Sequence, residues 1–99
     1  IGLHYLDFNN RKTSLGYWLG EAFQDKGLMT ASVRTLTKYC FTELNLNRVE
    51  IRAAVENIKS RAVPERLGFN QEGIIREAEW LGDRFVDHVV YGMLKRNWT

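Results

Sequence analysis

The spacing of apolar residues changes abruptly in the middle of this chain. Over residues 28–44 they recur at steps of three and four, the period of an amphipathic helix, whereas over residues 49–55 they alternate, the period of a strand. The apolar stripe of the helix is expected to contain Met29, Val33, Leu36, Cys40 and Leu44, and its polar side Arg34, Thr37, Lys38 and Glu43. A helix followed so closely by a strand predicts an α/β arrangement in which helices pack on a sheet.

The segments on either side of this helix and strand have the features of β-hairpins. At one end, "IGLHYLDF" and "TSLGYWLG" are strand-like runs joined by the polar turn "NNRK". At the other end, residues 70–98 predict two long strands around the tight-turn dipeptide "GD". The predicted fold class is α/β (α+β), with a mixed, mostly antiparallel sheet and two packed helices.

A second, shorter helix is predicted within "ENIKSRAVPERLGF". Its buried side is expected to contain Ile58, Ala62 and Leu67, and Gly68 is a suitable C-terminal stop. Because Pro64 lacks an NH and clashes with the carbonyl four residues earlier, it is expected to loosen this helix.

Composition limits the class of protein. The 99 residues are 44% hydrophobic and 26% charged, which is typical of one small globular domain. The 14 Lys and Arg and 12 Asp and Glu are interspersed, so we expect no direct nucleic-acid partner. A single cysteine, Cys40, excludes an internal disulfide and any multi-cysteine metal site, and favours a reducing compartment, most simply the cytoplasm. No apolar run is as long as a membrane span, so no membrane partner is expected.

The stretch "AFQDKGLMTASVRTL" places Gly27 directly before the first helix, where a side-chain cap is usual. A helix N-terminus carries a partial positive charge, and a glycine there allows close approach of an anion. Thr30 adds a hydroxyl and Lys26 a charge. The alternative is that Gly27 only makes a turn and that water satisfies the amides. The nucleotide motifs GxxxxGK[ST] and GxGxxG are absent from the sequence.

Residues 14–73 resemble the acetyl-CoA-binding half of the GCN5-related N-acetyltransferases (GNAT), particularly the branch that acetylates ribosomal-protein N-termini. Gln24, Gly27 and Met29 match the family's Q/RxxGxG/A loop, although Met29 replaces a small residue. Asn57 and Ser60, followed by "LGF", match a second motif, and the later residues Glu72, Gly73, Asp87 and Tyr91 resemble the hairpin of this branch.

The resemblance implies acetyl-CoA as cofactor and direct attack of a primary amine on its thioester, in a cleft between the parallel strands "LGYWLG" and "VEIRAAV". The cofactor-binding residues that it implies are Leu19, Gln24, Asp25, Lys26, Gly27, Leu28, Met29, Thr30, Asn57 and Ser60. Lys59 and Arg61 either meet the 3′-phosphate of coenzyme A or form a solvated helix face.

The same resemblance implies Glu79 as the base. It implies Ser60 as the acid, because Pro64 occupies the position of the tyrosine that many members use as the acid. Ser60 alternatively only caps its helix. Other candidate bases are Glu72, Glu77 and His88, and His88 alternatively only pairs across the sheet. The aromatic residues Tyr17, Trp18 and Trp80 either line an acceptor slot or belong to the core, which we favour.

Members of this family begin with a strand, two helices and a second strand, and nothing in this sequence resembles them. We therefore expect residues 1–99 to be one apparently truncated domain whose Ile1 falls at the third strand. The exposed sheet edge predicts a homo-oligomer or pairing with a missing N-terminal half. The predicted acceptor is a protein N-terminal amine; the alternatives are a small-molecule amine, an acyl-CoA-binding module without catalysis and a small ribosomal-RNA-binding module.

Overall fold

The computed structural model describes residues 2–16 and 26–98 of the chain, with the backbone alone at positions 2, 4, 16 and 26. The described elements are β1 (Gly2–Asp7), β2 (Lys12–Gly16), α1 (Lys26–Thr42), β3 (Arg48–Ala54), α2 (Ile58–Arg66), β4 (Asn70–Trp80), β5 (Phe85–Leu94) and a 3₁₀ turn (Lys95–Asn97). The predicted order of elements is therefore confirmed. None of the described helices has the length and apolar character needed to cross a membrane.

The five strands form one mixed sheet in the order β1-β2-β3-β5-β4. The strands β2 and β3 run parallel, and every other neighbouring pair is antiparallel. A parallel pair needs a crossover connection, and α1 lies in that connection. Both α1 and α2 contribute to the same core cluster as the sheet, so they cover the same side of it.

The two sides of the sheet differ in chemistry because strand residues alternate between them. On β3, Val49, Ile51 and Ala53 are buried toward the helices, opposite Met93, Tyr91 and Val89 of β5. We call this side the helix face. The other side, which we call the charged face, carries Arg48, Glu50 and Arg52 of β3 and His88 of β5.

Helix α1 starts and ends two residues earlier than predicted, at Lys26 and Thr42. Gly27 therefore lies inside the first turn and does not precede the helix. The predicted apolar stripe is confirmed: Val33 and Cys40 are fully buried, while Met29, Leu36 and Leu44 are partly buried against the core. Burial also raises the pKa of the Cys40 thiol, which suits a packing role.

The prediction that Thr37 faces away from the core is wrong. Thr37 is fully buried, because it follows Val33 by four residues and precedes Cys40 by three, which places it on the same side of α1. The predicted helix exit at the asparagines is confirmed at Asn45, which has a φ of 52°.

The predicted buried side of α2 is wrong at its first residue. Ile58 is 68% exposed, whereas Ser60, Val63 and Pro64 are buried. These three residues and Leu67 follow the i, i+3, i+4, i+7 spacing of one helix side. This side of α2 packs against the sheet, so the polar Ser60 is buried and the apolar Ile58 is exposed. The helix continues through Pro64 and, as predicted, is followed by Gly68 in the left-handed region, at a φ of 81°.

Candidate active site

Several elements meet at one edge of the sheet, where the parallel strands β2 and β3 end. Because α1 connects the end of β2 to the start of β3, its N-terminus lies at this edge, and α2 begins there directly after β3. The antiparallel neighbour β5 places His88 opposite Ala54, the last residue of β3. This edge therefore collects the N-termini of both helices and one end of the β4–β5 hairpin.

The first turn of α1 has the properties of an anion site. It contains no acidic residue, and the N-terminus of a helix carries about half a positive charge. Met29 is partly buried against the core, so its departure from the small family residue does not fill the site. The Thr30 side chain is buried, and its Oγ1 has no hydrogen-bond partner among the residues that the structure describes. A buried hydroxyl without a partner is costly, and a phosphate oxygen at this turn is a suitable acceptor.

The predicted cofactor residues divide into two groups. Leu19, Gln24 and Asp25 lie outside the described residues, as do Tyr17 and Trp18. The others lie at the two helix N-termini: Lys26, Gly27, Leu28, Met29 and Thr30 in α1, and Asn57 and Ser60 at the start of α2.

Asn57, and not Ser60, caps α2. The Ser60 backbone N–H donates to Asn57 Oδ1 at 3.0 Å, which is the usual geometry of an N-cap. The packing of α2 against the sheet buries Ser60, whose exposed fraction is 8%. The capping alternative for Ser60 is therefore wrong, and Ser60 occupies a defined position in the first turn.

The side chains of Arg61 and Lys59 have different surroundings, because that of Arg61 is directed into the structure. Its Nε donates to Tyr91 Oη at 3.1 Å, and its Nη1 donates to the Val55 carbonyl at 3.1 Å. The Tyr91 hydroxyl in turn donates to Glu65 Oε2 at 2.7 Å, and burial together with this contact raises the pKa of Tyr91. These contacts fix the start of α2 on the sheet, whereas Lys59 is exposed.

Glu79 and His88, two of the candidate bases, form one hydrogen-bonded pair. His88 Nε2 lies 3.0 Å from Glu79 Oε1, and the side chains are 20% and 48% exposed, respectively. The pairing across the sheet that the sequence left open for His88 is thus confirmed. An irregularity in β4 between Ile75 and Glu79 brings the two together; within it, Glu77 has a φ of 48° and its N–H donates to Asp87 Oδ1 at 2.8 Å.

The other candidate carboxylates have different surroundings. Glu72 accepts hydrogen bonds from Arg48, which lower the pKa of Glu72 and make it a poor base. Glu77 and Asp87, with Arg76, line a cavity of about 700 Å³.

Trp80 is 56% exposed and packs edge-on against Phe85, so its predicted place in the core is wrong. No cluster of metal-ligating side chains occurs within the described ranges 2–16 and 26–98.

Comparison with known proteins settles the family. The family model of the acetyltransferase (GNAT) domain matches residues 1–70. This chain belongs to the GNAT acetyltransferase family. It is 52% identical over 98 residues to a protein named "Putative ribosomal N-acetyltransferase YdaF" from Bacillus subtilis (strain 168), covering 99% of this chain and 54% of that protein. It is 32% identical over 94 residues to the "Ribosomal-protein-serine acetyltransferase" of Escherichia coli (strain K12), covering 95% of this chain and 52% of that protein.

Solved GNAT structures confirm the fold. A structure described as "Probable acetyltransferase" is 52% identical, with a TM-score of 0.92 over 97% of this chain and 55% of the other. Spermidine N-acetyltransferase from Vibrio cholerae, in complex with CoA and spermine, is 26% identical, with a TM-score of 0.87 over 96% of this chain and 56% of the other. The chain spans about half the length of the curated relatives it matches.

Proposed function

We propose that this chain binds acetyl-CoA at the N-termini of α1 and α2 and takes part in transferring the acetyl group to a primary amine. The observation that carries the proposal is the buried, unpartnered Thr30 hydroxyl among the described residues, in a helix turn without acidic residues. The pyrophosphate of the cofactor supplies both the negative charge and the acceptor oxygens that such a turn lacks. Family membership supports the same cofactor.

Acetyl-CoA supplies an activated thioester, and the protein supplies position and proton transfer. Amides of the first turn of α1 and the Thr30 hydroxyl would hold the pyrophosphate. Ser60, held beside its cap Asn57, is proposed to donate its hydroxyl hydrogen to the departing sulfur. The Glu79–His88 pair, at the same edge of the sheet, is proposed to take the proton of the attacking amine. Cys40 is buried in the core and has no part in this direct transfer.

Isothermal titration with acetyl-CoA tests the cofactor proposal, and α1 offers a matched control. Thr30 and Thr37 both have a buried Oγ1 without a partner among the described residues, but Thr37 lies about three turns from the helix N-terminus. We expect micromolar binding by the wild-type chain, weakened about tenfold in Thr30→Val because a hydrogen bond to a charged group is lost. Thr37→Val should bind as the wild type does. Equal affinities of the two variants, or no binding by a folded wild-type chain, would contradict the proposal.

For the acceptor, we propose the N-terminal α-amine of a protein, such as a ribosomal protein. The names of two relatives support this acceptor, whereas the spermidine N-acetyltransferase supports a small polyamine. Turnover measured with a ribosomal-protein N-terminal peptide and with spermidine distinguishes them by the ratio of kcat/KM. Tight cofactor binding without turnover of either amine would favour a binding module without catalysis.

A further inference from the structure

The hydrogen bond between Glu79 and His88 raises the question of which residue accepts the proton of the amine. We infer that His88 is the base and that Glu79 is its positioning residue. The inference rests on the proposed acetyl transfer and assigns a role to each member of the pair.

The register of the sheet places His88 between the β3 end and Glu79. His88 of β5 is opposite Ala54, the last residue of β3, whereas Glu79 lies on β4, the strand beyond β5, and is opposite Val86. Neighbouring strands are about 4.8 Å apart, so β4 lies about one strand spacing farther from the end of β3 than β5 does. An amine that attacks a thioester held at the ends of β2 and β3 therefore meets the strand of His88 before that of Glu79.

The hydrogen bond determines which nitrogen of His88 is available. An ionised carboxylate only accepts hydrogen bonds, so the 3.0 Å contact requires a hydrogen on His88 Nε2. The neutral imidazole then carries its lone pair on Nδ1, which has no partner among the residues that the structure describes. A carboxylate that holds an imidazole in one tautomer, with the other nitrogen free to act as base, is an established catalytic arrangement.

The proton transfer balances without another reactant. An N–H bond of the protonated acceptor amine breaks, its electron pair stays on nitrogen for the attack, and an Nδ1–H bond forms on His88. The resulting imidazolium is paired with the Glu79 carboxylate, which is already in contact. Glu79 itself is 48% exposed, and its contact to His88 orients the ring.

The charged groups near His88 are Arg52 on β3, Glu79 on β4 and Asp87 on β5 itself. Arg52 lies on β3 two residues before Ala54, on the charged face, and Glu79 is the acidic contact from β4. Asp87 precedes His88 on β5 but accepts the Glu77 N–H. Because a base must be unprotonated to accept the proton of the amine, the rate should rise with pH and then reach a plateau.

The tautomer of His88 tests the inference without requiring activity. Nitrogen-15 NMR of the side-chain imidazoles at alkaline pH should show a hydrogen on His88 Nε2 and a lone pair on Nδ1. Glu79→Leu should remove this preference, and Glu43→Leu, which removes an exposed glutamate in the turn after α1, should keep it. A hydrogen on Nδ1 in the wild type, or an unchanged tautomer in Glu79→Leu, would overturn the inference. Because Glu79 is half exposed, its replacement should leave the fold intact.

Kinetics of two variants then separate the roles. In His88→Gln the side-chain amide can still donate to Glu79 but cannot act as base, so kcat should fall about 100-fold and the acid limb of the pH–rate profile should disappear. Glu79→Leu should lower kcat only about tenfold and keep the acid limb, and acetyl-CoA affinity should be unchanged in both. A larger loss in Glu79→Leu would make Glu79 the base. Failure of the wild type to bind acetyl-CoA would instead contradict the proposed function, and the tautomer measurement would still decide the roles of the pair.

Discussion

The two faces of the same sheet are built from alternate residues of the same strands, yet they are stabilised differently. On the helix face, Ile51 and Tyr91 are fully buried in an apolar core. On the charged face, Arg48 bridges Glu50 and Glu72 at 2.8 and 2.5 Å. The core depends on removal of apolar area from water, whereas the charged face depends on pairing of groups that are partly exposed. Replacements on the helix face should therefore affect folding most, and those on the charged face should affect local positions and chemistry.

The largest effect is expected from Ile51→Ala on the helix face. Ile51 is fully buried in the main cluster, so removal of its side chain leaves a cavity and should lower the free energy of unfolding by about 2–5 kcal/mol. The neighbouring Arg52 is exposed on the charged face, and Arg52→Ala should change it by less than about 0.5 kcal/mol. Urea unfolding measures both. Similar losses in the two variants would remove the distinction between the faces.

The next effect is expected from Arg48→Met on the charged face. Its guanidinium contacts two carboxylates, which raise the pKa of Arg48, and the side chain is only 22% exposed. Loss of these contacts leaves Glu50 and Glu72 facing each other, at a cost of about 1–2 kcal/mol in urea unfolding. Arg84→Met is the control, since Arg84 pairs with Glu56 where both side chains are more than half exposed, and should cost less than about 1 kcal/mol. A larger loss from Arg84→Met would contradict the role of burial.

A smaller effect is expected from Gly92→Ala. The Arg48–Glu72 contact crosses β5 at Gly92, where an added Cβ would lie 2.5 Å from Glu72 Oε2 and 2.6 Å from Arg48 Nη1. These side-chain ends can move aside only by giving up the contact, so we expect a loss of about 1 kcal/mol in the free energy of unfolding. Gly73→Ala serves as the control, because an added Cβ there meets nothing within 4 Å.

A double-mutant cycle makes the Gly92 prediction specific. If the cost of Gly92→Ala comes from displacing the ion pair, it should shrink in the Arg48→Met background. An unchanged cost in that background would instead point to a backbone effect at Gly92.

The smallest effect is the pH dependence of the Arg48–Glu72 contact. The hydrogen bond from Arg48 lowers the pKa of Glu72 in the folded state below its unfolded value. This contribution to stability is therefore fully present above the unfolded pKa and is lost as the pH falls through the folded pKa. The urea midpoint of the wild type should fall more steeply under acid conditions than that of Glu72→Gln. Asp7, whose pKa is lowered by Asn10, contributes equally in both proteins, so parallel curves would contradict the prediction.

Sequence pattern predicted those parts of the fold that depend on local order. The stripe through Val33 and Cys40 follows from helix periodicity alone, and the burial of Val49 and Ile51 follows from strand alternation. The errors occur where tertiary packing decides: Ile58 is exposed because the other side of α2 meets the sheet.

For the candidate site too, the sequence predicted the residues but not the contacts that depend on tertiary structure. The family resemblance predicted acetyl-CoA as cofactor and the candidate positions that lie at the helix N-termini, and Glu79 and His88 were both candidate bases. Their contact was not predicted, because it depends on the register of the β4–β5 hairpin. Counting residues outward from the turn would have placed Glu77 opposite His88, where the irregularity between Ile75 and Glu79 places Ile75 instead.

That irregularity makes the Glu79–His88 pair sensitive to the parity of chain length. From Ile75 to Glu79 the chain takes four steps on β4, while the facing residues Val86 and His88 are two steps apart, so β4 contains an even excess of residues. An even excess keeps Glu79, opposite Val86, on the same side of the sheet as Ile75, opposite His88, whereas deletion of Ala78 alone makes the excess odd and changes which β4 side chains share that side. In this hairpin, the number of residues in the irregular segment of β4 decides which side chains face the same side as His88. A one-residue deletion there therefore changes the site as a residue substitution would.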